Sequence, residues 1–141
     1  AELASPTGQW PEAIHPITLG GCMGDGQHAW AAAEWVMLIR NAFVREEGDW
    51  LVIGSGLVDE WIPDDGEASF GFGATRFGDC RVSVRRGEAE VALVEVAMKN
   101  ARATPRLKLQ LPGYEPREVE GGGSWELQPL AGSEADRTPA R

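Results

Sequence analysis

The chain changes its hydrophobic period once, near residue 48, and that change divides it into a helical part and a strand part. Over 26–47 the polar residues Gln27, Glu34, Asn41 and Arg45 fall at spacings of seven, seven and four. They share one narrow strip of a helix, and almost everything around them is apolar: Trp30, Trp35, Val36, Met37, Leu38, Ile39, Phe43 and Val44. A surface helix carries an apolar stripe on one side only, so this pattern predicts a long helix buried on most of its circumference. Asp25 is the expected N-cap, Ala29 and 31–33 are strong helix formers, and Gly48 is the expected C′ residue. A small sheet covers one helix face, so something further is expected to cover the rest.

Beyond residue 48 the period is two. Residues 50–53 form a short apolar run, and 56–63 read as a turn or single helical turn carrying Trp61. Residues 67–72 alternate around Phe70 and Phe72. In 80–86, Val82 and Val84 point one way and Arg81, Ser83 and Arg85 the other. Arg86-Gly87-Glu88 reads as a hairpin turn into a strand over 89–98. Leu107, Leu109 and Leu111 then alternate with Arg106, Lys108 and Gln110, and 124–127 give a last strand. Short alternating segments separated by turns predict an antiparallel sandwich or barrel. The expected fold is α+β, mainly β: a loop and one long buried helix over 1–47, an antiparallel β-sandwich over 48–130, and a disordered tail over 131–141. Within the first part, prolines at 6, 11 and 16 followed by glycines at 20, 21, 24 and 26 make 1–26 loop-like.

Composition narrows the partners. The 141 residues carry 13 Lys and Arg against 22 Asp and Glu, a net charge of −9. Nucleic acid is therefore not expected, because a phosphate backbone is held by clustered cations. No basic run suits an anionic membrane surface, and no apolar stretch reaches the roughly 18 residues that a membrane span needs. No leader pattern is present at the N-terminus, and the expected location is cytoplasmic. The two cysteines, Cys22 and Cys80, are expected to be free thiols.

Three residue sets bear on chemistry. Glu12 lies beside Trp10 in a loop held by Pro11 and Pro16, where an aromatic wall desolvates a carboxylate and suits acid–base work. Local sequence by itself favours a solvated loop glutamate beside a packed Trp. The glycines of 20–26 lack the Gly-x4-Gly-Lys-Ser/Thr pattern of a phosphate cradle, and Asp25 would repel an anion. His15, Cys22, His28 and Cys80 match no compact zinc spacing, so no metal and no cofactor are expected. Of the six tryptophans, Trp30 and Trp35 read as core, whereas Trp61 or Trp125 is available for stacking on a sugar if exposed.

Taken together, Trp-Pro-Glu-Ala-Ile-His-Pro at 10–16, Gly-Gly-Cys-Met-Gly-Asp-Gly-Gln-His-Ala-Trp at 20–30 and the helix that follows resemble the end of the catalytic domain of six-hairpin glycosidases. These are (α/α)6-toroid enzymes that include glucoamylases. The resemblance spans about residues 9–112 and is specific over 10–62. It implies that the helix is the last of a helical toroid, that a β domain follows, and that Glu12 stands where such enzymes keep a general base. Trp10, Asp25 and His28 would line the sugar pocket. An inverting glycosidase needs a second carboxylic acid about 6.5–9.5 Å away, and the resemblance puts that acid on an earlier helical hairpin. Trp-Pro-Glu also departs from the usual surroundings of the glucoamylase base. The expected function is the C-terminal part of a glycoside hydrolase-like protein, inactive alone. The alternative is an autonomous carbohydrate-binding or assembly module that oligomerises through its helix. A free-standing enzyme using Glu12 with Asp25 or His28 ranks last. The expected partners are a carbohydrate and either a second copy or a larger helical polypeptide covering 26–47.

Overall fold

A computed structural model describes residues 9–23 and 28–131. Asp25, the expected helix cap and pocket residue, lies outside the described residues, as do Gln27 and the tail over 132–141. The elements run β1 (Ala13–Ile14), β2 (Gly21–Met23), α1 (Ala29–Phe43), β3 (Val44–Glu47), β4 (Trp50–Ile53), β5 (Ala68–Thr75), β6 (Gly78–Arg86), β7 (Ala92–Lys99), β8 (Arg106–Leu109), β9 (Arg117–Glu120) and β10 (Gly123–Leu127). Among the described residues the fold is mainly β with one α-helix, as the two periods predict. The chain divides into two compact units, 1–39 and 40–141, with the boundary inside α1.

In the second unit, two four-stranded sheets carry the core. One has the order β10-β7-β6-β5 and is antiparallel throughout. Its alternation is the one expected: Val82, Val84, Val94 and Val96 are at most 2% exposed, while Arg81, Arg85 and Glu95 face out. The other sheet has the order β3-β4-β8-β9. Here Leu51, Ile53, Leu107 and Leu109 are fully buried, and Arg106 faces water with its guanidinium 3.7 Å over the Trp50 ring. One pairing departs from the expected antiparallel arrangement, since β4 and β8 run parallel, Leu51 opposite Leu107 and Ile53 opposite Leu109. The crossover between them contains β5, β6 and β7, so both β4 and β8 bury leucines without a tight turn joining them. After β10 the chain returns beside the segment that follows β8, where Glu115 N–H donates to the Gln128 carbonyl at 2.8 Å and Leu130 N–H to that of Gly113 at 2.8 Å.

The predicted helix is too long at its C-terminal end. Residues 44–47 form β3, antiparallel to β4 with Val44 opposite Ile53, and Arg45 is therefore a strand residue. The strand wins because it buries Val44 completely, and β-branched valine favours that geometry. Gly48 is not a helix cap. With φ +52° it opens the two-residue turn between β3 and β4, a left-handed conformation that glycine takes without strain. The helix is stopped instead by the chain leaving β4: Gly54 N–H donates to the Phe43 carbonyl at 2.8 Å and Gly56 N–H to that of Ala42 at 3.2 Å. Both are C-terminal carbonyls that lack intrahelical donors. The expected turn at Arg86-Gly87-Glu88 is also longer than predicted. A 3₁₀ turn, Glu88–Glu90, lies between Gly87 and β7. Arg86 meanwhile braces the 59–64 loop through ion pairs to Asp59 at 3.0 Å and Asp64 at 3.2 Å.

The helix is not buried either. Of its described residues only Ala42 and Phe43 are, and Trp30 (54%), Val36 (59%), Met37 (43%) and Leu38 (60%) stand open to solvent. Every buried apolar residue described lies within 42–127. The apolar pattern of the helix is thus real, but the described residues do not supply the cover. No helix among the described residues is long and apolar enough to cross a membrane.

Candidate functional site

The first unit holds the loop that the sequence singled out. Its framework is a small hairpin in which β1 and β2 pair antiparallel, Ala13 opposite Met23, with a bulge before Ile14. Glu12 N–H donates to the Met23 carbonyl at 3.1 Å, which fixes the backbone on which Glu12 stands. The turn beyond is closed by His15 N–H on the Gly20 carbonyl and Leu19 N–H on that of His15, both at 2.8 Å. His15 Nδ1 accepts from the Ile17 and Thr18 amides at 3.3 Å each. That imidazole therefore satisfies the turn it sits in, an ordinary structural use of a side-chain acceptor.

A second tie brings the loop to the helix. His28 N–H donates to the Trp10 carbonyl at 2.9 Å, just ahead of α1, and Ala32 N–H returns to the His28 carbonyl at 3.1 Å. The Trp10 ring stacks on Trp35, with centroids 4.9 Å apart and planes at 30°. The His28 ring meets Trp30 edge-on, at 5.5 Å and 90°. Its Nε2 lies 3.9 Å from Glu12 Oε2, beyond hydrogen-bond reach but within ion-pair range. Both groups are part-exposed, so the pair is wet and its attraction is screened.

Trp10, Glu12 and His28 are thus neighbours in space, although His28 follows Glu12 by sixteen positions. Asp25 cannot be placed, because it lies outside the described residues. Trp30 and Trp35 are additions to the cluster. Reading them as core missed that one backs Trp10 and the other flanks His28 while remaining half open. Their signal was the i, i+5 placement on the first turns of the helix, immediately after the loop.

The chemistry available is that of one accessible carboxylate, one imidazole within ion-pair range of it, and aromatic faces alongside. A lone carboxylate of this kind orients water or hydroxyl groups, whereas bond cleavage between sugars needs a second acid across the scissile oxygen. Among the described residues no group of three or more His, Cys, Asp and Glu side chains could hold a metal ion. Cys80, a free thiol, is buried in the sheet, and that burial pushes its pKa from 9.0 to about 11, which makes it a poor nucleophile at neutral pH. Of the tryptophans expected to be available, Trp61 is 45% exposed, while Trp125 is half-buried opposite Val94. Comparison with protein-family models, with curated proteins and with solved structures finds no match to this chain.

Proposed function

We propose that the chain is the C-terminal part of a glycoside hydrolase-like protein of the six-hairpin type, inactive alone, in which α1 packs as the last helix of a helical toroid. The observation that carries this reading is the exposed apolar surface of α1. Val36 and Leu38 are two residues apart, hence about 200° apart around a helix. Met37 and Trp30 lie within that arc and all four are open, and the polar strip of Glu34 and Asn41 interrupts the arc between Trp30 and Leu38. An ordinary surface helix needs an apolar stripe of about 100°, which one neighbour covers. An arc twice as wide needs neighbours on two sides, the situation of a helix inside a multi-helix layer. In that setting Glu12 acts as general base beside Trp10 and His28, and the acid partner comes from another hairpin.

The rival reading is an autonomous β module that binds carbohydrate or assembles through α1. It draws support from the sheets, whose buried apolar residues all come from 42–127. Light scattering coupled to size exclusion separates the two. Under the glycosidase reading the isolated chain is a monomer, prone to aggregate, and turns over no aryl α- or β-glucoside. A stable dimer that shields Val36 and Leu38 together would favour the module. Turnover by the isolated chain would remove the claim of inactivity.

A further inference from the structure

The outer face of the β10-β7-β6-β5 sheet holds a groove of about 200 Å³ lined by no residue of the Glu12 cluster. Register sets its side chains in two rows. Ser83, Glu95 and Ser124 lie side by side on β6, β7 and β10, and Arg85, Leu93 and Glu126 form the next row along. Neighbouring strands are about 4.8 Å apart, so each row presents three groups across about 10 Å. Glu67, paired with Arg81 at 2.8 Å, forms part of the rim. Among the described residues, the side chains of Arg85, Glu95 and Glu126 have no ion-pair partner. Leu93 stands between Arg85 and Glu126 and holds the opposite charges apart.

We propose that this groove binds a neutral saccharide. A hydroxyl group both donates and accepts, so a ring with adjacent hydroxyls answers the Arg85 donors, the Glu95 and Glu126 acceptors and the exposed Ser124 hydroxyl together. Hydrogen bonds to these charged groups are the stronger kind. An anionic ligand meets three carboxylates around one unpaired guanidinium, and a cationic ligand leaves that guanidinium without a partner. The volume lies below the roughly 300–1,000 Å³ of sites that enclose drug-sized ligands, which fits one ring rather than a long oligomer. Leu93 gives the apolar face of that ring a floor.

The test is a titration of the ¹⁵N-labelled full chain with maltose and with cellobiose, read by amide shifts, with glycine and inorganic phosphate as charged probes. The expected result is saturable shifts at Ser83, Leu93, Glu95 and Ser124 with one of the disaccharides, in the millimolar range. Arg85→Ala, at an exposed position, should keep the dispersed spectrum and weaken binding about tenfold. Glu126→Gln should weaken it in the same direction. The proposal is overturned if neither disaccharide shifts these amides, if Arg85→Ala binds as the wild type does, or if glycine or phosphate occupies the groove more tightly. The readout lies at residues 83–126, so its failure and a failure of the Glu12 reading are separate results.

Discussion

Replacing Val36 and Leu38 together by glutamine tests whether α1 is an interface or merely an oily surface. Burying a whole valine or leucine side chain is worth about 1.5–3 kcal/mol. These two are 59% and 60% exposed, so roughly three-fifths of that, about 1–2 kcal/mol each, is available only to a covering partner. Glutamine propagates a helix about as well as leucine and better than valine. In the isolated chain the pair should therefore shift urea-derived stability by no more than about 0.5 kcal/mol per site, while lowering aggregation in light scattering. Joined to the helical polypeptide that the proposal requires, each site loses its transfer gain and buries an amide without a partner, a further cost of about 1–3 kcal/mol. The double variant should then lose at least about 4 kcal/mol in that context. Denaturation followed by circular dichroism measures both settings. A loss above about 1.5 kcal/mol in the isolated chain would show that these side chains are already packed within it. No loss in either setting would refute the claim that α1 is covered on two sides.

Four further outcomes are expected. Glu12→Gln should abolish glucoside turnover by the longer polypeptide while leaving its thermal midpoint unchanged, and full activity in that variant would remove Glu12 from the chemistry. Gly56→Ala should cost about 1–3 kcal/mol in urea melts, because a Cβ there would lie 2.8 Å from the Ala42 Cα, whereas Gly48→Ala, with open space but φ +52°, should cost only about 1 kcal/mol. The raised pKa of Cys80 means that folding favours the neutral thiol, so its contribution is complete below pH 9 and is lost as pH rises toward about 11; Cys80→Ala should flatten the fall in stability across that window. A chain beginning at Arg40 should still unfold cooperatively, since the buried apolar residues described all lie in 42–127; a molten product would show that residues before 40 are needed for the core.

The strands legible in the sequence are those with an apolar partner on every second residue. Val82 and Val84, or Leu107 and Leu109, declare both their period and their buried face. The missed strands are the pair Ala13–Ile14 and Gly21–Met23, in a stretch whose prolines and glycines read as loop, and two at sheet edges. Arg117–Glu120 carries one apolar residue in four, and Val44–Glu47 one followed by three charges. Charged edges discourage pairing with other chains, and the same charges erase the alternation on which strand reading depends. Residues 44–47 also suit a helix equally well in isolation. Their fate is decided by Ile53 and the exit of β4, contacts that no local window contains. The candidate site followed the same division. Prolines and a neighbouring tryptophan marked Glu12, but its meeting with His28 depends on the amide of His28 reaching the Trp10 carbonyl across the glycine-rich stretch. No periodicity encodes that bond.

The two ends of α1 have different allegiances. Its last turn belongs to the sheets: Ala42 and Phe43 are buried, Phe43 stacks on Phe70 at 5.9 Å, and the final carbonyls are bound by the chain leaving β4. Arg40, one turn earlier, reaches Glu46 and the Ala74 carbonyl at 3.0 Å each. Before Arg40 the pattern reverses, and the helix becomes alanine-rich and open, with large apolar side chains on opposite sides. Alanine at 29 and 31–33 adds little transfer energy of its own but leaves room for close approach. A helix meant to face water would replace such residues with charged ones on at least half its circumference. One meant for a single symmetric partner would gather Val36 and Leu38 onto the same side. The sequence does neither, and that placement is what supports the proposal that other helices cover the first turns of α1.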